Sequence, residues 1–243
     1  GETLFDAVAG VDVPVRERRI GYMFQDYALF PHLSVADNVA FGLAGRFGRR
    51  SPQAREQVAR WLEFFGIGEL AERRPSALSG GQRQRIGIAR ALAVEPKFII
   101  ADEPVSALDV SIQAQILNIL MDLKDEFHFS YLFIAHDLSV VKHISDSLGV
   151  MYLGSIVERA PKKTLFRNPV HPYTKALFSA APTIDENNIA ESQELRGEIP
   201  SPIHLPSGCL FHDRCPMACP DCARKVPELK EVEPGHFAAC HLL

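Results

Sequence analysis

The chain has 243 residues, of which 47% are hydrophobic, enough to bury the core of one large domain and a smaller appendage. Its formal net charge of -4 at pH 7 gives no sign of a strongly basic surface of the kind that binds nucleic acid or acidic membranes. No apolar stretch approaches the roughly 20 residues that a membrane span requires. We therefore expect a soluble, cytoplasmic protein.

The first part of the chain predicts one strand and two helices. Residues 18–24, RRIGYMF, predict a strand that ends at Gln25. Residues 34–43 predict a short helix with its serine as the cap. A second helix is predicted to begin at Ser51-Pro52, where a capping residue is followed by proline in the first turn. The apolar face of this helix is predicted to consist of Val58, Trp61, Leu62 and Phe65.

From Ser79 onward, helices and strands alternate. Residues 82–94 predict a helix that is stopped by the following proline. The apolar runs at 98–101 and 131–135 are typical of strands buried on both faces of a parallel sheet. Apolar residues at helical spacing predict further helices at 112–127 and 138–147. Such alternation predicts an α/β fold with right-handed crossovers.

The alternation ends in a predicted hairpin at residues 148–158, and the composition changes beyond Ala160. Prolines multiply there, which predicts a second, smaller unit. Cysteines are confined to this part of the sequence, and an odd number of clustered cysteines favours a local metal or cluster site over a disulfide framework. They are Cys209, Cys215, Cys219, Cys222 and Cys240.

Acidic residues follow the first buried strand. Asp102 and Glu103 come just after its carboxyl end, where α/β proteins bind ligands. Asp102 could hold the Mg²⁺ of a nucleotide through its water shell, and Glu103 could orient an attacking water, although an acidic pair that only starts a helix has the same pattern. His136 ends the next apolar strand, so we expect it at the same sheet edge, where it could contact a terminal phosphate.

A glycine pair precedes the helix at 82–94. Ser79, Gly80 and Gly81 at a helix N-terminus offer backbone N–H groups and the positive end of the helix dipole, which together can cradle a phosphate. The lysine-bearing loop that grips the β and γ phosphates, G-x-x-x-x-G-K-S/T, does not occur in the sequence.

In this order and spacing, LSGGQ, FIIADEP, SALD and IAHD resemble the ATP-binding subunit of an ATP-binding cassette (ABC) transporter. The resemblance implies an α/β fold with a partial ABC-type, RecA-like ATPase core, a helical subdomain and a Pro- and Cys-rich C-terminal extension. It implies four segments: the remnant of the N-terminal core with the Q-loop at 1–27, the helical subdomain at 28–77, the remaining core at 78–160, and the peptide-importer extension at 161–243.

In this family, ATP and Mg²⁺ lie between two subunits in a head-to-tail dimer. The signature loop of one subunit covers the γ-phosphate that the lysine loop of the other holds. The resemblance therefore assigns the signature loop of this chain to the nucleotide of its partner. That loop is Leu78, Ser79, Gly80, Gly81 and Gln82.

The resemblance also implies roles at the chain's own nucleotide. Gln25 matches the Q-loop glutamine that contacts magnesium and the membrane partner, and Asp102 matches the Walker B aspartate. Glu103 matches the catalytic base, Asp109 the D-loop aspartate, and His136 the switch histidine. The family's lysine loop (Walker A) lies N-terminal to the Q-loop, farther back than these residues reach. We therefore expect the chain alone to bind ATP poorly at its own site and to be inactive as an ATPase.

Two regions resemble different importers. Residues 18–43 resemble the ATPases of importers of molybdate, sulfate and similar solutes. From about residue 78 onward, the chain resembles oligopeptide and dipeptide importers, most distinctively in NPVHPYTKAL and IPSPIHLPSGCLFHDRCP. The expectation is a hybrid sequence, with divergence inside one subfamily as the alternative. Because the peptide-importer part is longer and more distinctive, we predict a di- or oligopeptide importer over an inorganic-anion importer.

The cysteines of the tail match the resemblance in a specific way. In peptide importers the pattern of Cys209, Cys215, Cys222 and Cys240 resembles the site of a 4Fe-4S cluster. A zinc site is the alternative, because four cysteines also form a closed tetrahedral Zn²⁺ site, which His212, His236 or His241 could join. Cys219 is either a spare thiol or an alternative ligand.

The resemblance also implies partners and location. They are transmembrane permease subunits, a second ATP-binding subunit and, indirectly, an extracytoplasmic solute-binding protein, with the chain peripheral on the cytoplasmic face of the membrane. No nucleic-acid partner is expected.

Two other functions stay open. One is a soluble ABC ATPase outside transport, against which the cysteine tail argues. The other is an inactive remnant whose only competent part is the metal-binding tail.

Overall fold

The structure, a computed structural model, describes residues 3–43, 51–180, 197–198, 200–201 and 203–243. The chain divides into two compact units, a first unit Gly1–Asp137 and a second unit Leu138–Leu243. The four segments predicted from the sequence describe functional parts of the chain and stay a prediction.

The first unit is organised by a parallel sheet. A short antiparallel pair, β1 (Phe5–Asp6) and β2 (Val11–Asp12), precedes it. The strands β3 (Ile20–Met23), β4 (Phe98–Asp102) and β5 (Ser130–Ile134) then lie side by side in that order, all parallel. Their register sets Ile20 against Phe98 and Phe98 against Ser130. The strands predicted at 18–24, 98–101 and 131–135 are thereby confirmed.

The helices of the first unit begin where a polar side chain caps the first turn. They are α1 (Val35–Val39), α2 (Pro52–Phe64), α3 (Gly80–Ala93) and α4 (Val110–Phe127), and their caps are Ser34, Ser51, Ser79 and Asp109. The structure starts α3 two residues before the predicted start at Gln82. The reason is a capping box, in which the Ser79 and Gln82 side chains each accept the backbone N–H of the other residue.

Close packing of α3 on the sheet depends on Gly21 in β3. A Cβ atom at this position would come within 2.9 Å of the Ala91 carbonyl oxygen in α3, so a larger residue would push the helix away. On this face of the sheet Ile99 and Ala101 are fully buried. Side chains on the opposite face are exposed, including Tyr22 on β3 and Leu132 on β5, so the predicted burial of these strands on both faces is wrong. The apolar face predicted for α2, which includes Trp61, is buried.

The second unit contains an antiparallel sheet that extends into the C-terminal tail. Its elements are α5 (Leu138–Ile144), β6 (Ser147–Tyr152), β7 (Ser155–Pro161), α6 (Lys162–Arg167), α7 (Pro172–Ser179), β8 (Lys230–Glu233) and β9 (His236–Ala238). The strand order is β6-β7-β9-β8. The predicted hairpin is confirmed as β6 and β7. Beyond it, Glu158 on β7 pairs with Ala238 on β9, so the sheet continues across the predicted boundary at Ala160.

A buried carboxylate fixes this junction. Glu158 is fully buried, and its Oε1 accepts the Val170 N–H at 2.8 Å while its Oε2 accepts the His171 N–H at 3.0 Å. The His236 ring nitrogen Nε2 on β9 lies 2.7 Å from Glu158 Oε1. One side chain on β7 therefore holds both the segment that enters α7 and the tail strand β9. A buried acceptor shared among several donors is costly to remove, because each donor would be left unpaired.

His171 is the N-cap of α7 and is itself buried. Its Nδ1 accepts the Tyr173 N–H at 3.1 Å, which requires that nitrogen to be unprotonated. Burial lowers the pKa of His171 from 6.5 to about 4, against the opposing effect of the Glu158 carboxylate. The folded second unit therefore holds His171 neutral at pH values where the unfolded chain protonates it.

Replacing Glu158 by alanine should destabilise the second unit by roughly 3–5 kcal/mol, because the backbone donors and His236 lose their buried partner. Hydrogen exchange of the β7 and β9 amides measures this locally. The control is Glu228→Ala, which removes a carboxylate that is 81% exposed and lies 3.6 Å from Lys230 Nζ. The control should change stability by less than about 1 kcal/mol. Equal effects of the two variants would contradict the role of Glu158.

The lowered pKa of His171 predicts a pH dependence of stability. Between pH 6.5 and about pH 4 the unfolded chain binds a proton that the folded chain does not. The contribution of His171 to the free energy of unfolding should therefore be fully present above pH 6.5. It should fall by about 3 kcal/mol as the pH drops to about 4, at about 1.4 kcal/mol per pKa unit. His171→Asn keeps a capping acceptor and removes the titration, so urea unfolding at several pH values should show a smaller acid loss. The same loss in both proteins would disprove the assignment.

Candidate functional site

The carboxyl ends of β3, β4 and β5 bring predicted site residues together. Asp102 is the last residue of β4 and Glu103 follows it, while Gln25 and His136 come just after β3 and β5. Parallel strands place these ends at one edge of the sheet. The structure therefore gathers at one edge four side chains that are up to 111 positions apart in the sequence.

Glu103 is the junction of this group. Its Oε2 accepts an N–H from Gln25 Nε2 at 2.9 Å, and its Oε1 lies 3.2 Å from His136 Nδ1. The His136 side chain is 72% exposed and that of Glu103 is 26% exposed, so the carboxylate is partly shielded while the imidazole faces solvent. One carboxylate is thus held in a defined orientation by groups from the two flanking strands.

The backbone of Glu103 is strained. Its φ is +44°, in the left-handed region that residues other than glycine seldom adopt. The conformation is held from both sides: the Glu103 N–H donates to the Ile134 carbonyl at 3.0 Å, and the Ser106 hydroxyl donates to the Glu103 carbonyl at 3.1 Å. Strain that the surroundings maintain is typical of residues whose side chain must point in one direction.

Two residues that hold Asp102 and Glu103 in place were not predicted from the sequence. Ser106 holds the Glu103 carbonyl, and Tyr22 donates its hydroxyl to Asp102 Oδ2 at 3.0 Å. The hydrogen bond to Asp102 is also the main reason why the pKa of Tyr22 is raised. Tyr22 pairs with Ile100 and therefore lies on the same sheet face as Asp102, but the sequence alone does not specify this strand register.

The signature loop forms the start of α3. In the described residues, the hydrogen bonds of Ser79 stay within the loop and its helix: its Oγ accepts the Gln82 N–H at 3.3 Å and its N–H donates to Gln82 Oε1 at 3.0 Å. A Cβ atom on Gly81 would lie 3.2 Å from the Ile112 side chain in α4. Asp109 caps α4 by accepting the Ile112 N–H at 3.0 Å. The predicted D-loop aspartate is therefore next to the signature loop, and both lie on elements other than the strand edge of Glu103.

Arg90 connects α3 to the segment that follows Gln25. Its guanidinium donates to the Tyr27 and Ala28 carbonyls, both at 2.7 Å. Tyr27 and Ala28 have φ values of +60° and +43°, so this turn is also left-handed. Burial lowers the pKa of Arg90, whose charge is compensated here by the two carbonyl dipoles.

The helices α1 and α2 border a cavity of about 580 Å³. Its walls combine apolar positions with charged side chains of both signs. Among the residues that line it are Asp37, Arg55, Val58, Leu62, Glu63 and Glu72. Such a mixture is suited to an amphipathic protein segment.

The cysteines lie close together in the second unit. Cys219 Sγ is 3.3 Å from Cys222 Sγ, and the Cys209 N–H donates to the Cys222 carbonyl at 2.7 Å. Burial raises the pKa of Cys209, which the Cys240 and Cys215 thiols raise further. Burial also raises the pKa of Cys222 to about 11, whereas its hydrogen bond to Cys219 lowers the pKa of Cys219. In the described part of the chain, no group of three or more His, Cys, Asp or Glu side chains is arranged to hold a metal ion.

The sequence is similar to known proteins along most of its length. It is 54% identical to the oligopeptide transport ATP-binding protein AppF of Bacillus subtilis, over 78% of this chain and 59% of AppF. It is 47% identical to a Brucella ovis protein that carries the name of a peptide import ATP-binding protein, over 99% of this chain and 78% of that protein. The chain belongs to the ABC transporter family of ATP-binding proteins. Residues 3–106 of this ABC protein match the ABC transporter family, and residues 157–222 match the family described as oligopeptide/dipeptide transporter, C-terminal region.

A solved structure agrees with the fold of this ABC protein. It is a dimeric post-hydrolysis state of an ATP-binding cassette bound to ADP and Pi, with a TM-score of 0.54 and 31% identity, covering 60% of this chain and 65% of that one. The predicted α/β ABC-type fold is thereby confirmed. The chain spans 59% of the length of AppF and 78% of the length of the Brucella ovis relative. Among the described residues, no helix has the length and hydrophobicity to cross a bilayer.

Proposed function

We propose that this chain is the ATP-binding and ATP-hydrolysing part of an ABC importer for oligopeptides or dipeptides. The observation that carries the proposal is the placement of Glu103, held by Gln25 and His136 at the sheet edge beside Asp102. A carboxylate held in this way is suited to orienting an attacking water. The peptide-transport names of relatives that match 78% and 99% of the chain support the substrate class.

The two carboxylates at this edge of the sheet are proposed to have different roles, Glu103 as the general base and Asp102 as a ligand of hydrated Mg²⁺. Glu103 is oriented by a neutral donor, Gln25, and by a histidine, which suits a general base that must stay unprotonated and aimed. Asp102 accepts the Tyr22 hydroxyl on Oδ2, and its other oxygen, Oδ1, would contact the water shell of Mg²⁺. A single aspartate fits this ion, because Mg²⁺ is usually bound by one or two carboxylates together with phosphates and waters.

The signature loop is proposed to serve the nucleotide of a second ATP-binding subunit. Residues Gly80 and Gly81 lie in the first turn of α3, where backbone N–H groups have no partner within the helix. The helix dipole adds partial positive charge at the same place. The capping box keeps this first turn in shape, so the N–H groups stay aimed outward in the absence of a phosphate.

The remaining partners follow from the proposed transport role. Permease subunits would dock at the helical region, where the cavity between α1 and α2 offers apolar walls and charges of both signs. An extracytoplasmic solute-binding protein would act through the permease and would not touch this chain. The chain would lie on the cytoplasmic face of the membrane, held there by the permease.

We propose that Glu103 acts on the nucleotide of this chain and that Ser79 acts on the nucleotide of its partner subunit. Variants at these two positions should therefore have different effects on ATP turnover. We expect ATP turnover when the chain is mixed with a complete peptide-importer cassette subunit and its permease. Because residues 1–243 contain no lysine loop, that turnover should depend on the signature loop of this chain and little on its own Glu103. Ser79→Asp should lower turnover by roughly a hundredfold, since it places a negative charge against the phosphate. Glu103→Gln should leave turnover nearly unchanged.

Asp at position 79 is a good helix cap, so this variant keeps α3 intact. Ser79→Thr keeps both the cap and the charge and should retain turnover, which is the matched control. Steady ATP turnover by the purified chain alone, abolished by Glu103→Gln, would contradict the proposed division. So would full activity of Ser79→Asp in the mixture.

We further propose a metal centre at Cys209, Cys215, Cys222 and Cys240, with a 4Fe-4S cluster ahead of Zn²⁺. What supports it is the shared neighbourhood of these thiols: Cys240 and Cys215 both raise the pKa of Cys209, and Cys209 raises that of Cys222. The thiols are not arranged as a ready three-ligand group, so binding has to draw them together. Cysteine thiolates are soft ligands, which suit both an iron–sulfur cluster and Zn²⁺.

Anaerobically purified protein tests the metal centre. A cluster predicts brown protein with stoichiometric iron and sulfide, whereas zinc predicts colourless protein with stoichiometric Zn²⁺. Cys215→Ser should remove the metal in both cases. Absence of any bound metal under reducing conditions, after supply of iron with sulfide or of zinc, would refute the centre.

A further inference from the structure

The tail contains a pair of neighbouring thiols, of which only Cys222 belongs to the four proposed metal ligands. Cys219 and Cys222 flank a short turn with the sequence C-P-D-C, and their Sγ atoms are 3.3 Å apart. The Cys219 N–H also points at Cys222 Sγ, at 3.5 Å. A disulfide has an S–S bond of about 2.05 Å, so the two sulfur atoms have to approach by about 1.2 Å to be joined.

The two thiols differ in accessibility. Cys222 is 5% exposed and its main chain is fixed by the preceding loop, where the Cys209 N–H donates to the Cys222 carbonyl and the Ser207 hydroxyl donates to the Ala223 carbonyl. Gly208 brings this loop close, since a Cβ atom there would overlap the Cys222 carbonyl. Cys219 is only half-buried and is therefore more accessible than Cys222. A small reagent can therefore reach Cys219 first, with Cys222 directly behind it.

We propose that Cys219 and Cys222 form a reversible disulfide by exchange with low-molecular-weight disulfides, of which oxidised glutathione is the representative probe. The pair would be a redox modification site in the tail of this ABC protein. It does not depend on the transport role or on the metal centre.

The exchange is balanced in two steps. The Cys219 thiolate attacks one sulfur of oxidised glutathione, forming a mixed disulfide and releasing one glutathione thiolate. The Cys222 thiolate then attacks Cys219 Sγ and releases the second glutathione thiolate. The two protons lost by the cysteines end on the two glutathione molecules. The protein dithiol is oxidised and one glutathione disulfide is reduced.

The pair shares one residue with the proposed metal centre. A thiol in a disulfide cannot ligate a metal, so if both proposals hold, oxidation of the pair withdraws Cys222 from the centre. Cys219→Ser separates the two ideas, because it removes the disulfide and leaves Cys209, Cys215, Cys222 and Cys240 in place.

Metal-free chain 1–243 is incubated with oxidised glutathione, quenched with N-ethylmaleimide under denaturing conditions and digested with trypsin. Cleavage after Arg214 and Arg224 yields the peptide 215–224, which contains three cysteines. We expect a single alkylated cysteine in this peptide, at Cys215, and a mass lower by two hydrogens that reflects the 219–222 disulfide. Reduction before the quench should restore alkylation at all three positions.

Variants identify each step. Cys222→Ser should accumulate glutathione on Cys219, because the second step is blocked, while Cys219→Ser should lose the disulfide and keep Cys222 open to alkylation. A disulfide from Cys215, glutathione spread equally over the cysteines, or no oxidation would overturn the proposal. If both proposals hold, oxidised wild type should lose bound metal, whereas Cys219→Ser should keep it under the same treatment. Absence of metal in the reduced wild type, with the 219–222 disulfide still forming on oxidation, would refute the metal centre and leave the disulfide standing.

Discussion

The parallel register of β3, β4 and β5 decides where the candidate catalytic groups lie. Since all three strands point the same way, the residues that follow them must meet at one edge. Gly21 keeps α3 tight against these strands, and the register then puts Gln25 and His136 on either side of Glu103. The site is therefore a consequence of sheet geometry, and a shift of one strand by a single residue would separate the groups.

Much of this arrangement was predictable, because it depends on local patterns. Short apolar runs reveal strands, and capping residues reveal helix starts, as at Ser51. The meeting of Glu103 with His136 followed from the rule that parallel strand ends share an edge. The left-handed backbone of Glu103 was not predictable, since it arises from tertiary bonds to Ile134 and Ser106. The Tyr22 contact needed a strand register that no local pattern specifies.

The C-terminal strands β8 and β9, in contrast, were not predictable from local sequence patterns. The sequence of β8, Lys230–Glu233, is mostly charged and exposed, and carries no apolar signal for a strand. It is a strand because β9 offers it a backbone ladder, and β9 is placed in turn by β7, more than 70 positions earlier in the chain. The burial of Glu158 and His236 is likewise invisible in composition, because charged residues are seldom buried without partners. Pairing at long range, and not propensity, built this part of the fold.

The hydrogen bonds from Arg90 to the left-handed turn at Tyr27 and Ala28 connect this turn mechanically to α3. The same helix carries the signature loop at its other end, about 16 Å away along its axis. A hydrogen-bonded helix resists bending over this length, so a displacement of the turn after Gln25 would tilt α3 as a unit. The signature loop would therefore move with the turn that follows Gln25, and the stiffness of α3 determines how closely the two ends of the helix move together.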